Sequence, residues 1–207
     1  MKPKFLKLFL VAATLVFASW TVGAQNKWAL KTNLLHDATL SANLAIEYAF
    51  APKWSIEISG SYHPEQLKLG NVRLAHWAVQ PEIKYWLCER YQGFFLDIHA
   101  VGGSASVGGF PLDFSKLPGG VDLNTYLLEP WFIGGGLGLG YDVVLSRHWN
   151  LEFELGLGYA YIYGSDYEMI KNADGTLSKP EKPYYTGAYL FPGPIPTKLA
   201  LTVMYIF

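Results

Sequence analysis

Residues 149–163 read WNLEFELGLGYAYIY, and every second residue from Trp149 to Tyr163 is large and either aliphatic or aromatic. The positions between them begin with Asn150, Glu152 and Glu154 and continue with glycine and alanine as far as Ala160. Successive side chains of a β-strand point to opposite faces, so this stretch has one apolar face and one polar face. It predicts a long amphipathic strand.

The same period of two recurs along the rest of the chain. Seven further segments place a large apolar residue at alternate positions, which predicts eight strands in all. These segments are residues 28–35, 41–50, 54–62, 76–87, 94–100, 131–143 and 198–207.

The predicted connections alternate in length. Short turns are predicted at 51–53, 88–93 and 144–148, and a brief connection lies at 36–40. Longer loops are predicted at 63–75, 107–129 and 164–196. An even number of strands with short turns at one end and long loops at the other is typical of outer-membrane barrels. The sequence therefore predicts an all-β protein, an eight-stranded antiparallel transmembrane β-barrel.

A soluble lipocalin-like barrel or sandwich is the alternative, because it also alternates apolar and polar residues. Aromatic residues near the strand ends favour the membrane barrel, since a bilayer selects such belts at its two interfaces. The predicted interfacial aromatics are Trp54, Tyr85, Tyr141 and Trp149 at the short-turn end and Tyr62, Trp77, Trp131 and Tyr163 at the long-loop end.

Residues 1–24 predict a secretory signal peptide that precedes a barrel domain at 25–207. Lys2, Lys4 and Lys7 lead into an apolar run over 8–17, and small residues at 22–24 precede the expected cleavage. The run is shorter than the roughly 20 residues that a spanning helix needs. Cleavage leaves 13 basic against 17 acidic side chains, a net charge of −4. We expect an exported protein in the outer membrane of a Gram-negative bacterium.

Composition narrows the partners and cofactors. Charged residues make up 16% of the chain and the formal net charge is −1, which provides no basic surface for nucleic acid. One cysteine excludes a disulfide framework and a cysteine-rich zinc site. We expect no cofactor and no metal, and we expect outer-membrane lipids as the surroundings.

The last strand ends in an aromatic residue. Val203, Tyr205 and Phe207 lie on one face of it, and this pattern resembles the signal that the outer-membrane barrel assembly machinery reads. We therefore expect that machinery to be a partner during biogenesis.

The inward face of the predicted barrel carries a cluster of charges. Buried charges must be paired or neutralised, so we predict a plug of ion pairs and hydrogen bonds. The alternative is a functional carboxylate cluster, in which crowding keeps one glutamate protonated. Eight strands are too narrow for an aqueous channel. The predicted cluster is Lys31, Glu47, Glu57, Glu82, Lys84, Asp97, Glu152 and Glu154.

A catalytic alternative rests on residues predicted near the long-loop end. His36, Asp37, His63 and His76, with Ser41, would gather where a lipid-modifying acyl hydrolase or transferase meets the outer leaflet. Nucleophilic catalysis needs serine, histidine and an acid within hydrogen-bond reach, and the spacing alone does not supply that. A third reading is a surface binding or assembly module that contacts a protein through loops 107–129 and 164–196. The leading prediction is a non-enzymatic barrel of structural or surface-interaction type.

Several short stretches resemble an uncharacterised Bacteroidota outer-membrane barrel family, a domain of unknown function. They are residues 31–35 with Asp37-Ala38, residues 80–82 with 84–86, residues 88–90, Arg147 with residues 149–152, and residues 205–207. The resemblance covers nearly all of the chain after the signal segment. It implies a barrel in the outer membrane and carries no activity with it. Family members usually have tyrosine at the position of His36, which argues against an essential catalytic role for that histidine.

Overall fold

The structure, a computed structural model, describes residues 27–64, 72–109, 122, 124–172, 177–190 and 194–207. The predicted signal segment at 1–24 lies outside these residues. Within the described ranges, no helix is both long enough and apolar enough to cross a membrane.

Eight antiparallel strands form a closed barrel, which confirms the predicted fold class. They are β1 (Trp28–Asn33), β2 (Ala42–Ala51), β3 (Trp54–His63), β4 (Arg73–Trp86), β5 (Gly93–Gly108), β6 (Tyr126–Val144), β7 (Trp149–Glu168) and β11 (Ile195–Ile206). Three short strands, β8 (Ile170–Lys171), β9 (Leu177–Ser178) and β10 (Tyr185–Leu190), and one helix, α1 (Leu34–Ala38), complete the described elements.

Each barrel strand pairs with the next barrel strand along the chain, so that β6 pairs with β7 and β7 with β11. The pairing of β11 with β1 closes the ring. Closure lets backbone groups of the wall hydrogen-bond to neighbouring strands, and the eight described barrel strands form a ring without an end strand.

The alternation in β7 decides which face points inward. Glu152 and Glu154 are buried, at 1% and 3% exposure, whereas Phe153 and Leu155 are 47% and 52% exposed. The polar face therefore lines the bore and the apolar face covers the outside, the reverse of a soluble barrel.

The first strand ends earlier than its sequence pattern predicts. The alternation predicts a strand over 28–35, but β1 ends at Asn33 and Leu34 opens helix α1. The Asn33 side chain caps this helix, because its Oδ1 accepts a hydrogen bond from the backbone N–H of Leu35 at 3.1 Å. A capping asparagine thus overrides the apolar period of two.

The two longest predicted loops are partly strand, so their predicted bounds were wrong. Within 107–129, β5 extends to Gly108 and β6 begins at Tyr126. Within 164–196, β7 continues to Glu168, and β10 pairs with residues 161–166 of β7. Tyrosine, threonine and glycine continue the ladder there without strict alternation, which is why the pattern failed to show it. Positions 110–121, 123, 173–176 and 191–193 of these loops lie outside the described residues.

Candidate functional site

The barrel interior is filled in three levels, counted from the short-turn end. An apolar plug comes first, formed by Ala29, Ala49, Trp86, Tyr91, Phe95, Met204 and Ile206. A charge layer lies above it, formed by Lys31, Lys84 and Lys198 with Glu47, Glu57, Glu82, Glu152 and Glu154. A cavity of about 300 Å³, lined by both polar and apolar side chains, occupies the third level. Inward positions two residues apart along each strand produce this order.

The plug closes the short-turn end around Trp86. Its indole Nε1 donates to Ser55 Oγ at 2.9 Å, and its ring lies 4.8 Å from the Phe95 ring and 5.7 Å from the Tyr91 ring. The Tyr91 hydroxyl donates to the Lys27 carbonyl at 2.7 Å, which ties the β4–β5 turn to the start of β1. All polar atoms of these rings are thereby paired, as a dry site requires.

Lys31 is the first centre of the charge layer and its side chain is fully buried. Its Nζ lies 2.8 Å from Glu57 and 2.9 Å from Glu152, and it also pairs with Glu47. Three carboxylates from three strands thus surround a single ammonium group. Such pairing is what compensates the cost of removing a lysine from water.

Lys84 is the second centre, reaching the layer from β4. Its Nζ lies 2.8 Å from Glu152 and 3.2 Å from each of Glu57, Glu82 and Glu154. Because Glu57 and Glu152 are shared with Lys31, the two lysines form one network instead of two separate pairs.

Lys198 completes the network and is absent from the predicted cluster. Its Nζ pairs with Glu82, lies 2.9 Å from Glu154 and lies 3.7 Å from Glu57. The register of β11 shifts between Pro196 and Lys198, and this irregularity brings the Thr197 hydroxyl inward as well. The signal available in the sequence was that Lys198 lies two positions before Ala200, which is buried, and so on the same face of the strand.

Asp97, the remaining member of the predicted cluster, is held beside the charge layer by His99. Asp97 Oδ1 lies 2.6 Å from His99 Nδ1, and His99 Nε2 lies 2.7 Å from Thr197 Oγ1. Glycine makes the room for both side chains: a Cβ at Gly138 would overlap the Asp97 carboxylate, and a Cβ at Gly156 would contact the His99 ring at 2.5 Å. The glycines at these positions of β6 and β7 therefore make room for side chains of β5.

One group of carboxylates approaches the geometry of a metal site. Glu82, Asp97 and Glu154 place one oxygen each within 4.8 Å of the others, the one such group in the described part of the chain. Lys84 and Lys198 contact both glutamates, so two ammonium groups already supply the positive charge there. These carboxylates are therefore better suited to ion pairing with lysine than to binding a metal ion.

The residues of the catalytic alternative meet only in part. Ser41 Oγ lies 3.1 Å from His63 Nδ1, and the His63 and His76 rings stack at 6.1 Å. Asp37 takes no part in that pair, because its carboxylate oxygens accept from Thr32 at 2.9 Å and from Asn43 at 2.7 Å. Ser41 is also 2% exposed, which hinders approach of an acyl substrate.

His36 lies in α1 with its ring 5.7 Å from the His76 ring. Burial lowers the pKa of His36, although the neighbouring Asp37 opposes this. The imidazole is therefore neutral at pH 7, and its buried Nδ1 has no hydrogen-bond partner within the described residues.

The predicted interfacial aromatics lie on the outer surface, facing one another across strand pairs. Trp54 stands opposite Tyr85 with ring centroids 4.9 Å apart, and Trp77 lies 5.6 Å from Trp131. At the end of β11, the Tyr205 ring lies 5.0 Å from Trp149. The other four predicted aromatics are 42–56% exposed: Tyr62, Tyr141, Trp149 and Tyr163. The remaining residues of the predicted assembly signal, Val203 and Phe207, are partly exposed.

The wall and the interior together define a closed eight-stranded antiparallel β-barrel whose bore holds a buried ion-pair network. Over residues 8–207 the chain matches the family described as Protein of unknown function (DUF3575), and it belongs to that family. No curated protein and no solved structure matches the chain. Family membership thus confirms the resemblance to a domain of unknown function and supplies no activity.

Proposed function

We propose that the protein is an integral outer-membrane barrel of a Gram-negative bacterium, of non-channel and non-enzymatic type. Its wall would sit among outer-membrane lipids, and its long-loop end would face the cell exterior and provide structure or contacts. The barrel assembly machinery would insert it, using the aromatic end of β11.

The inverted distribution of side chains carries this proposal. Ile98, Ile133 and Leu137 are 65–66% exposed on the outer wall, whereas Lys84 and Glu47 are fully buried inside. Monomeric soluble proteins rarely expose apolar patches larger than a few hundred Å². In a membrane, acyl chains would cover these apolar side chains, and removing them from water would stabilise the barrel.

The spacing of the aromatic belts agrees with a bilayer. Trp54 and Tyr62 lie eight positions apart at the two ends of β3 and point the same way. Eight positions correspond to about 27 Å along a strand, and strand tilt shortens this along the barrel axis. The apolar band of known outer-membrane barrels is about 25 Å tall.

The filled interior argues against a channel. The plug and the charge layer occupy consecutive levels of an eight-stranded bore, which is only wide enough for side chains. A purified barrel in a planar bilayer is expected to show no steady ionic conductance.

Tryptophan quenching by brominated lipid tests the membrane placement. Two proteins are compared after reconstitution in vesicles, one that keeps only Trp131 and one that keeps only Trp86, with phenylalanine at the other tryptophan positions. Brominated acyl chains should quench the fluorescence of Trp131, which is 57% exposed on the wall. They should not quench the fluorescence of Trp86, which is fully buried. A protein that remains a dissolved monomer without detergent would refute the proposal.

The Ser41–His63 hydrogen bond favours one second candidate, a lipid-modifying enzyme. Mass spectrometry of lipid A and phospholipids from a deletion strain, complemented with the native gene or with Ser41→Ala, tests it. A lipid change that only the native gene reverses supports catalysis. Lipids unchanged by the deletion eliminate it.

Exposed tyrosines before and within β10 support contacts with a surface protein. Tyr184 is 73% exposed and Tyr185 is 46% exposed. A photo-cross-linking residue at Tyr185 should capture a defined partner in cells, and the same residue at the inward Ala160 should not. If no adduct forms at Tyr185, the role in protein contacts is refuted and only the structural role remains.

A further inference from the structure

The cavity above the charge layer is built from inward side chains of several strands. It measures about 300 Å³, and its lining includes Asn43 of β2, Ser59 of β3, Gln80 of β4 and Thr202 of β11. At about 30 Å³ for each water molecule, this volume corresponds to about ten waters or one small organic molecule. It lies at the lower limit of known ligand pockets.

Two residues of this lining each carry a buried side-chain nitrogen that has no hydrogen-bond partner within the described residues. These atoms are Nε2 of Gln80, a donor, and Nδ1 of His36, which acts as donor or acceptor according to the tautomer. A buried polar atom without a partner is costly, and ordered water or a ligand removes that cost. Gln80 and His36 therefore have hydrogen-bonding capacity that the described residues do not use, and a hydrogen-bonding occupant of the cavity could engage their side chains.

The charges at the floor of the cavity select against charged occupants. Lys31, Lys198 and Glu57 contribute to the lining, and each is engaged in the ion-pair network below. An anion would face the Glu57 carboxylate, and a cation would face the ammonium groups of Lys31 and Lys198. A neutral molecule avoids both repulsions.

Apolar side chains also contribute to the lining. Phe132 of β6 and Val101 of β5 line the cavity, as do Ser61 and His76. A surface that offers an aromatic ring beside hydroxyl, amide and imidazole groups matches a molecule with C–H faces and many hydroxyls.

We infer that this cavity binds a neutral polyhydroxylated molecule of monosaccharide size. The hydroxyls would pair with the Gln80 amide and the His36 imidazole, and the ring would lie against Phe132. The inference rests on the interior alone, so it stands whether or not the wall is embedded in a membrane.

Titration of the purified chain without its signal segment, folded in detergent, tests the inference by NMR. The probes are D-glucose, D-galactose and N-acetyl-D-glucosamine, and the charged comparators are glucosamine and glucose 6-phosphate. At least one neutral sugar should shift the Gln80 side-chain amide with a dissociation constant in about the millimolar range. Glucosamine and glucose 6-phosphate should bind at least about tenfold more weakly.

Substitutions at neighbouring positions of β4 locate the binding. Ala78→Phe places a ring in the cavity and should abolish the shift, whereas Val79→Phe points outward from the next position and should bind normally. Gln80→Leu removes one donor and should weaken binding about fivefold. Heat-modifiable migration on gels confirms that each variant is folded.

Two results would overturn the inference. One is the absence of saturable shifts with all three neutral sugars, which would mean that the cavity holds water only. The other is undiminished binding by a folded Ala78→Phe variant, which would place the sugar elsewhere. Tighter binding of a charged comparator would contradict the argument from the floor of the cavity.

Discussion

The short-turn half and the long-loop half of the barrel interior follow the same alternation but are filled in opposite ways. In the short-turn half, large side chains such as Trp86, Phe95 and Lys84 are fully buried and touch one another. In the long-loop half, small residues such as Ala78 and Ser59 stand at the equivalent inward positions and leave a cavity. Alternation therefore decides which side chains enter the bore, and their volume decides whether the bore is solid or hollow.

The glycines sharpen this contrast. In the short-turn half, Gly138 and Gly140 stand opposite Asp97 and Phe95, so each missing side chain is replaced by a large one from a neighbouring strand. Packing there approaches the density of a protein core, where even one added methyl group is felt.

Removing the central ammonium group should have the largest effect. Lys31→Met leaves Glu47, Glu57 and Glu152 with less positive charge, so the free energy of unfolding should fall by about 3–5 kcal/mol. Urea unfolding in detergent, followed by tryptophan fluorescence, measures it. Lys27→Met at the exposed start of the chain described here is the control and should change little. Equal effects of the two substitutions would show that the charge layer does not hold the short-turn half together.

Adding one methyl group to the solid half should have the next largest effect. Gly138→Ala drives a Cβ into the Asp97 carboxylate, which His99 holds in place, and should cost about 1–3 kcal/mol. The same unfolding experiment applies. Gly60→Ala is the matched control, because its nearest neighbour outside the adjoining residues would be the Ala78 carbonyl oxygen at 3.9 Å. A stable Gly138→Ala protein would mean that the short-turn half has spare room.

Neutralising a carboxylate should cost less than neutralising a lysine. Glu47→Gln keeps the shape of the side chain and lowers the excess of glutamates over lysines, so we expect a loss below about 1 kcal/mol. The comparison with Lys31→Met uses the two sides of one ion pair. If Glu47→Gln lowered the free energy of unfolding more than Lys31→Met does, the network would be short of negative charge. That result would contradict the excess of glutamates over lysines in the structure.

Filling the hollow half should have the smallest effect. Ala78→Leu extends into the cavity, so stability should change by less than about 1 kcal/mol. Ala49→Leu makes the same change in the plug, where Ala49 has no exposed surface, and should cost about 1–3 kcal/mol. Urea unfolding curves of the two variants measure the change in the free energy of unfolding. If both substitutions lowered it by similar amounts, the two halves of the interior would not differ in packing.

Much of the fold could be predicted because the alternation is a local property. Glu152 and Glu154 face inward for the same reason that Phe153 faces outward, and short stretches of sequence contain all the information needed. Local hydrogen bonding defeated the prediction at Asn33, whose capping of α1 ends the strand two residues early. The prediction also failed over β10, where the pairing with β7 joins positions 19 to 29 residues apart.

The sequence by itself determined the number of barrel strands, their inward and outward faces, and the identity of most buried charges, because each depends on a period of two. Only the tertiary structure decided which charges meet. Lys198 reaches Glu82, 116 positions away, through the curvature of the closed wall. The cavity likewise exists because small residues from distant strands lie at one level of the bore. Their alignment depends on strand register and ring closure, which cannot be read from the sequence of a single strand.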